Sequence, residues 1–187
     1  MSDPSTFLRN YIRDIPDYPV KGVIFRDLTP LFRDAVAFRT AVNGLADRLR
    51  DLGADVVAGI EARGFIVGAP IALALGTGFV PLRKPGKLPW RKRSKSYQLE
   101  YGSESIEIHE DAISRGQRVI VVDDLLATGG TASAAAKLVE EVGGVVAGIG
   151  FLVELRYLNG REKLRGYRVE SLVAIDRERW AQRAAQA

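Results

Sequence analysis

Asp123 and Asp124 follow the apolar run Val119-Ile120-Val121-Val122 and lead into Leu125-Leu126-Ala127-Thr128-Gly129-Gly130-Thr131. Four consecutive β-branched residues suit a strand covered on both faces. The two carboxylates are therefore expected at its carboxyl end, the edge at which open α/β sheets bind ligands. Ala127 to Thr131 adds two glycines that let backbone N–H groups approach an anion, two threonine hydroxyls, and the start of an Ala-rich helix with its positive dipole end at the same point. That combination suits a phosphomonoester. Asp123 and Asp124 cannot favour such an anion, so their expected partners are sugar hydroxyls or a divalent cation bridging to the ligand. An ordinary strand-to-helix connection also carries glycines. The pattern is neither G-x-x-x-x-G-K-[ST] nor G-x-G-x-x-G, which removes support for a P-loop kinase and a classical dinucleotide enzyme.

Three further clusters carry chemistry. Gly59-Ile60-Glu61-Ala62-Arg63-Gly64-Phe65 joins a predicted strand to a predicted helix, and its backbone amides with the Arg63 guanidinium form a candidate diphosphate cradle. The alternative is Arg63 paired with Glu61 at the surface. Between Arg83 and Leu99 stand seven basic residues, Arg83, Lys84, Lys87, Arg91, Lys92, Arg93 and Lys95, and no acidic one. This stretch reads as a pyrophosphate clamp, a nucleic-acid arm or a solvated charged loop. Only Trp90 and Tyr97 offer the stacking a single-stranded nucleic acid would want. Gly22 to Pro30 reads as an apolar strand or edge followed by a turn, with Phe25 as a core residue on physical grounds alone.

These clusters must be held by a frame, and the composition allows one. The chain has 187 residues, 47% of them hydrophobic and 27% charged, with a formal net charge of +4. That is enough for one good core and too little for a second independent domain. There is no cysteine and a single histidine, His109, which excludes disulfides and thiolate zinc sites and argues against a His-based metal site or a Ser-His-Asp triad. Met1 to Arg13 lacks an apolar leader pattern and no apolar stretch reaches spanning length, so a cytoplasmic protein is expected, with no membrane partner. Helical spacing covers Ala35 to Leu52, ended by Gly53. Strand Asp55 to Ile60, helix Gly64 to Leu75 and strand Gly78 to Leu82 make a right-handed βαβ unit. Tyr97 to Tyr101 and Ser105 to His109 are predicted to form a hairpin inserted after the basic loop. Alternation resumes with Arg118 to Val122, a helix from about Thr131 to Val142, Val145 to Val153, and a short strand near Ser171 to Ile175. The expected class is α/β, a doubly wound, mainly parallel sheet with insertions.

The Asp123 to Thr131 run resembles the phosphoribosyl-diphosphate signature of type I phosphoribosyltransferases, and its Asp-Asp-Leu-Leu-Ala-Thr-Gly-Gly-Thr form looks most like the adenine-specific branch. Glu61 to Phe65 is similar to that branch's pyrophosphate loop, and Gly22 to Pro30 to its base-binding hood. With Pro81 to Lys87 and Leu99 to Gly102, the likeness covers most of the chain from residue 18 to 155 in the family's order. The resemblance implies one domain over 1–187, with 1–34 as an N-terminal hood and 84–104 as a flexible active-site loop or hairpin. It implies transfer of the phosphoribosyl group from 5-phosphoribosyl 1-diphosphate to adenine, giving AMP and pyrophosphate, with Mg²⁺ held mainly by substrate near Asp123 and Asp124. Ala127, Thr128, Gly129, Gly130 and Thr131 would take the 5-phosphate, and Asp123 and Asp124 the ribose. Glu61, Ala62, Arg63, Arg83, Lys84 and Lys87 would take pyrophosphate. Ile24, Phe25, Arg26 and Leu125 would take adenine, with Phe25 stacked on the ring and backbone groups near Ile24 and Arg26 reading its edge. Glu100, Tyr101 and Arg63 would be catalytic. It further implies a cis bond between Glu61 and Ala62, a homodimer, and no nucleic-acid partner.

Overall fold

A computed structural model describes residues 4–98 and 103–176. The chain opens with helix α1 (Pro4–Arg9), strands β1 (Arg13–Pro16) and β2 (Ile24–Asp27), and helices α2 (Thr29–Arg33) and α3 (Ala35–Leu49). Strand β3 (Val56–Ile60), helix α4 (Arg63–Leu75) and strand β4 (Gly78–Leu82) form the predicted βαβ unit. The hairpin β5 (Lys92–Gln98) and β6 (Ser103–His109) follows. The second half comprises β7 (Arg118–Leu126), α5 (Gly130–Glu141), β8 (Val145–Leu155) and β9 (Val169–Ile175).

The central sheet has the order β4-β3-β7-β8-β9 and every pairing in it is parallel. All five residues of β3 are buried, as a strand covered on both faces requires. One face is covered by α3 and α4, with Leu45, Leu49 and Ile71 packed on Val57, Ile120 and Val122. The other is covered by α5 and the hairpin, with Ala135, Leu138 and Ile108 against Val121, Ile149 and Phe151. After β3 the chain builds outward to β4, then returns to lay β7 on the other side of β3. The direction of winding reverses there, and the carboxyl ends of β3 and β7 splay around a crevice.

Caps place the helices. Asp34 accepts hydrogen bonds from Val36 N at 3.0 Å and Ala37 N at 2.8 Å, starting α3. A short 3₁₀ turn continues that helix to Leu52, and Gly53 at φ 56° ends it.

Three boundaries differ from expectation. The basic stretch expected as part of a loop is itself strand β5, because its register sets Lys92 opposite His109 and Tyr97 opposite Glu104, beside acidic partners. Lys92 pairs with Glu107 at 2.9 Å, Arg93 with Glu110 at 2.9 Å, and Lys95 with Glu141 of α5. Strand β7 runs past the two aspartates to Leu126, since β8 stays alongside and pairs Leu125 with Val153 and Leu126 with Glu154. Strand β1, too short and polar to stand out, pairs antiparallel with β2 and forms a two-stranded ribbon in the N-terminal segment. Among the described residues no helix is long and apolar enough to cross a membrane.

Candidate active site

The crevice begins at the turn after β7. A pocket there is lined by Ala127 through Ala132 together with Asp123, Leu125, Leu126 and Phe151. Gly129 stands at φ 77° and opens α5, a left-handed conformation that suits glycine. Neither α4 nor α5 has a side-chain cap at its N-terminus, in contrast to α3. Two helix ends therefore point unsealed N–H groups at one crevice, the arrangement that attracts anions. The five residues expected at a phosphate, Ala127 to Thr131, all line this pocket.

Beside it sits the carboxylate pair. Asp123 Oδ1 accepts the Asp124 backbone N–H at 2.8 Å. Burial pushes the Asp123 carboxyl well above the usual range, and the neighbouring Asp124 charge adds to the rise. Burial also raises Asp124, which is 2% exposed, against an opposing pull from the Arg63 guanidinium. Arg63 Nε lies 3.1 Å from Asp124 Oδ2, yet that oxygen accepts no hydrogen bond among the described residues. The contact is one of charge, and it leaves this buried oxygen without a hydrogen-bond donor among the described residues. Close approach of α4 to β7 depends on Gly64: a Cβ there would meet the Val122 carbonyl oxygen at 2.8 Å and Asp123 Oδ1 at 3.1 Å.

Arg63 also ties in the N-terminal ribbon, because its Cζ stands 5.4 Å from the centroid of the Phe25 ring, a cation–π distance. Phe25 and Ile24 are half-buried, Phe25 meets Tyr18 edge-on at 5.4 Å, and Leu125 is half-buried in the pocket wall. Arg26 is 4% exposed and its guanidinium pairs with Asp14 at 2.5 Å. The residues expected at adenine thus come from the ribbon and the end of β7, and Arg63 links the ribbon's Phe25 to Asp124 beside Leu125.

The third group surrounds Glu61, whose peptide bond to Ala62 is cis, as the resemblance implied. The Glu61 carboxylate accepts from Arg83 Nε and one terminal nitrogen, both at 3.2 Å, and from the Lys84 backbone N–H at 2.8 Å. The Arg83 hydrogen bond is the main reason the Glu61 carboxyl lies below the usual range. The surface pair considered from sequence, Arg63 with Glu61, is replaced by Arg83 with Glu61, because β4 lies directly beside β3. Arg83 also donates to the Lys87 carbonyl at 3.2 Å, and its backbone exchanges hydrogen bonds with Glu107 at 2.9 and 2.7 Å. Lys84 Nζ is 3.7 Å from Glu104, and the Lys87 side chain is exposed. Glu100 and Tyr101 lie outside the described residues.

Sequence reasoning missed Phe151, which lines the pocket from β8, Asp14, which holds Arg26, and Gly160, which backs the glycine turn. The Asn159-Gly160 pair signals a turn, but no local signal says what that turn touches.

The model of the Phosphoribosyl transferase domain family matches residues 33–183. The adenine phosphoribosyltransferase of Thermotoga neapolitana is 57% identical over 89% of this chain and 98% of its own. The crystal structure of adenine phosphoribosyltransferase from Thermoanaerobacter pseudethanolicus superposes with a TM-score of 0.89 at 54% identity, covering 91% of this chain and 99% of that one. The Saccharomyces cerevisiae enzyme, crystallised with an imino-altritol bisphosphate and adenine, gives a TM-score of 0.86 at 39% identity over 92% of this chain and 99% of its own.

Proposed function

The chain belongs to the adenine phosphoribosyltransferases, which transfer the 5-phosphoribosyl group of 5-phosphoribosyl 1-diphosphate to adenine in purine salvage, and from that premise we propose how its residues divide the reaction. Ala127, Thr128, Gly129, Gly130 and Thr131 hold the 5-phosphate on the N-terminus of α5. Asp123 and Asp124 accept hydrogen bonds from the ribose hydroxyls. Glu61, Ala62, Arg63, Arg83, Lys84 and Lys87 surround the diphosphate, with Glu61 keeping the Arg83 fork in place. Phe25 and Leu125 enclose adenine, and backbone groups at Ile24 and Arg26 read its edge. The observation that carries this reading is that Arg63 contacts both Asp124 and Phe25 beside the glycine-lined pocket. Sugar, leaving group and base are thereby brought to one point.

Displacement at C1 breaks the bond to pyrophosphate as the base nitrogen bonds to carbon, and positive charge develops on the ribosyl carbon in between. The protein's task is to position the reactants and to offset charge on the departing oxygens. Arg63 suits the second role, because its planar fork matches phosphate oxygens and it stands at the uncapped start of α4. Glu100 takes the ring proton that adenine must lose, and Tyr101 orients the reacting groups, both by resemblance. By the family likeness Mg²⁺ would be carried mainly by substrate, with Asp123 and Asp124 as the nearby oxygen donors. When bound, the ion neutralises diphosphate charge. By the same family likeness the working unit is a cytoplasmic homodimer, for which α4 offers exposed Ile66 and Leu73. The pairing of Lys92, Arg93 and Lys95 with carboxylates supports the reading without a nucleic-acid partner.

The test is steady-state turnover of adenine, hypoxanthine and guanine with 5-phosphoribosyl diphosphate and Mg²⁺, following nucleotide and pyrophosphate together. Adenine alone should react, because an oxopurine presents the opposite hydrogen-bonding polarity to a backbone reader. Preference for an oxopurine would overturn the adenine site and leave the phosphate sites standing.

A further inference from the structure

Glu154 and Arg161 have no place in the reaction derived above, yet they form a bidentate ion pair behind the site. Glu154, near the end of β8, is 4% exposed. Its two oxygens accept from Arg161 Nε and a terminal nitrogen, both at 2.7 Å, and one also accepts from Ser171 Oγ at 2.6 Å. Arg161 donates to the Val169 carbonyl at 2.9 Å as well. One guanidinium thus ties the end of β8, the start of β9 and the 3₁₀ turn Gly160–Leu164 together. Burial works to raise the Glu154 carboxyl, but the hydrogen bonds from Arg161 and Ser171 outweigh it and hold the group ionised.

The turn so fixed touches the glycine loop. A Cβ on Gly129 would lie 2.3 Å from the Gly160 carbonyl oxygen, and a Cβ on Gly160 would lie 2.3 Å from the Ala127 carbonyl oxygen. The two segments therefore meet backbone to backbone, with the Leu126 side chain packed beside the contact. Any shift of Gly160 passes directly to Ala127 and Gly129. Arg161 is the next residue, and its fork is the directional restraint on that turn. Arg161 is nearly half exposed, so the pair is a weak source of net stability, but its bidentate contacts fix geometry.

We propose that the Glu154–Arg161 pair is a positioning device for the 5-phosphate loop, acting through the contact of Gly160 with Ala127 and Gly129. This rests on the reading that Ala127 to Thr131 binds the 5-phosphate. Arg161→Lys keeps the charge and removes the fork. It should raise the KM for 5-phosphoribosyl diphosphate and the Kd for AMP on the order of tenfold, since small misplacements of binding groups are costly. The kcat, the KM for adenine and the Kd for pyrophosphate should stay within about twofold, the pattern of a lost binding interaction rather than a damaged fold. Glu154→Gln, which keeps one acceptor for Arg161, should fall between wild type and Arg161→Lys, and carries the test if Arg161→Lys does not fold. Unchanged AMP binding, or equal weakening of AMP and pyrophosphate, overturns the proposal. Thr131→Val separates the two levels. If it weakens AMP while Arg161→Lys does not, the positioning role alone fails; if it leaves AMP binding untouched, the 5-phosphate assignment fails and this proposal with it.

Discussion

Arg63 Nε lies 3.1 Å from Asp124 Oδ2 while the same guanidinium stands over the Phe25 ring. A cation at the first position of α4 thus answers a carboxylate at the end of β7 and an aromatic ring of the N-terminal ribbon. On the proposed division of the reaction, arriving diphosphate competes for Arg63, and its transfer to the leaving group frees Asp124 for the sugar. Arg63→Lys keeps the charge but loses the planar fork and most of the ring contact. The expected outcome is a fall in kcat/KM for 5-phosphoribosyl diphosphate on the order of a hundredfold, borne mainly by kcat because the leaving-group contact strengthens as charge develops. Kinetics showing a change in KM alone would place Arg63 in ground-state binding only.

Asp123, half-buried on the pocket wall, should cost the fold stability at neutral pH. Its carboxyl is raised by burial and by Asp124, so the folded state resists its ionisation. A carboxyl whose folded pKa exceeds its unfolded value binds more protons when folded, so stability falls as pH rises from the ordinary carboxylate range through the elevated value. Asp123→Asn removes that cost. The ligand-free variant should melt higher at neutral pH, by roughly 1 kcal/mol or about 2–4 °C, with the gain shrinking as pH is lowered, while kcat/KM drops sharply. Melting curves across pH test it, and a lower Tm at neutral pH would contradict the burial argument.

Gly64 is where packing and chemistry share one atom's width. A methyl group there would press on the Val122 carbonyl oxygen at 2.8 Å and on Asp123 Oδ1 at 3.1 Å. Gly64→Ala should destabilise by about 1–3 kcal/mol as an overpacked contact and lower kcat/KM on the order of tenfold by moving Arg63 away from Asp124. Thermal melts with steady-state kinetics decide it. Wild-type values in both would mean that α4 can back away without consequence.

What the sequence disclosed depended on contiguity. Asp123, Asp124 and the glycine turn are adjacent in the chain, so strand, carboxylates and helix start were legible together. The βαβ unit was legible because β3 is a short continuous apolar run and α4 a longer apolar stretch closed by Gly76. Lys92 to Lys95 misled only as to element, since a run of like charge looks like a loop until the strand register sets Glu107 beside Lys92 and the fold brings Glu141 to Lys95. The extension of β7 to Leu126 was hidden because β8, not local propensity, keeps it in the sheet. Gly160 lies 31 positions beyond Gly129 in the sequence, and only the folded chain puts the two backbones in contact.

The ribbon permits a test of base recognition that spares the phosphate sites. Asp14 and Arg26 are directly opposite in the β1–β2 register, and the buried Arg26 guanidinium reaches Asp14 at 2.5 Å. This ion pair fixes the backbone beside Phe25, the segment proposed to read the adenine edge. Removing its acid leaves a buried cation without that counter-charge, which loosens the local geometry. Asp14→Ala should therefore raise the KM for adenine several-fold to about tenfold and narrow the preference over hypoxanthine, because backbone readout is only as selective as it is rigid. The KM for 5-phosphoribosyl diphosphate should hold, since Asp14 touches none of the groups assigned to it. Parallel titrations of the two substrates decide the matter. A rise confined to 5-phosphoribosyl diphosphate, or equal rises in both constants, would show that the ribbon supports the whole crevice and does not set recognition of the base.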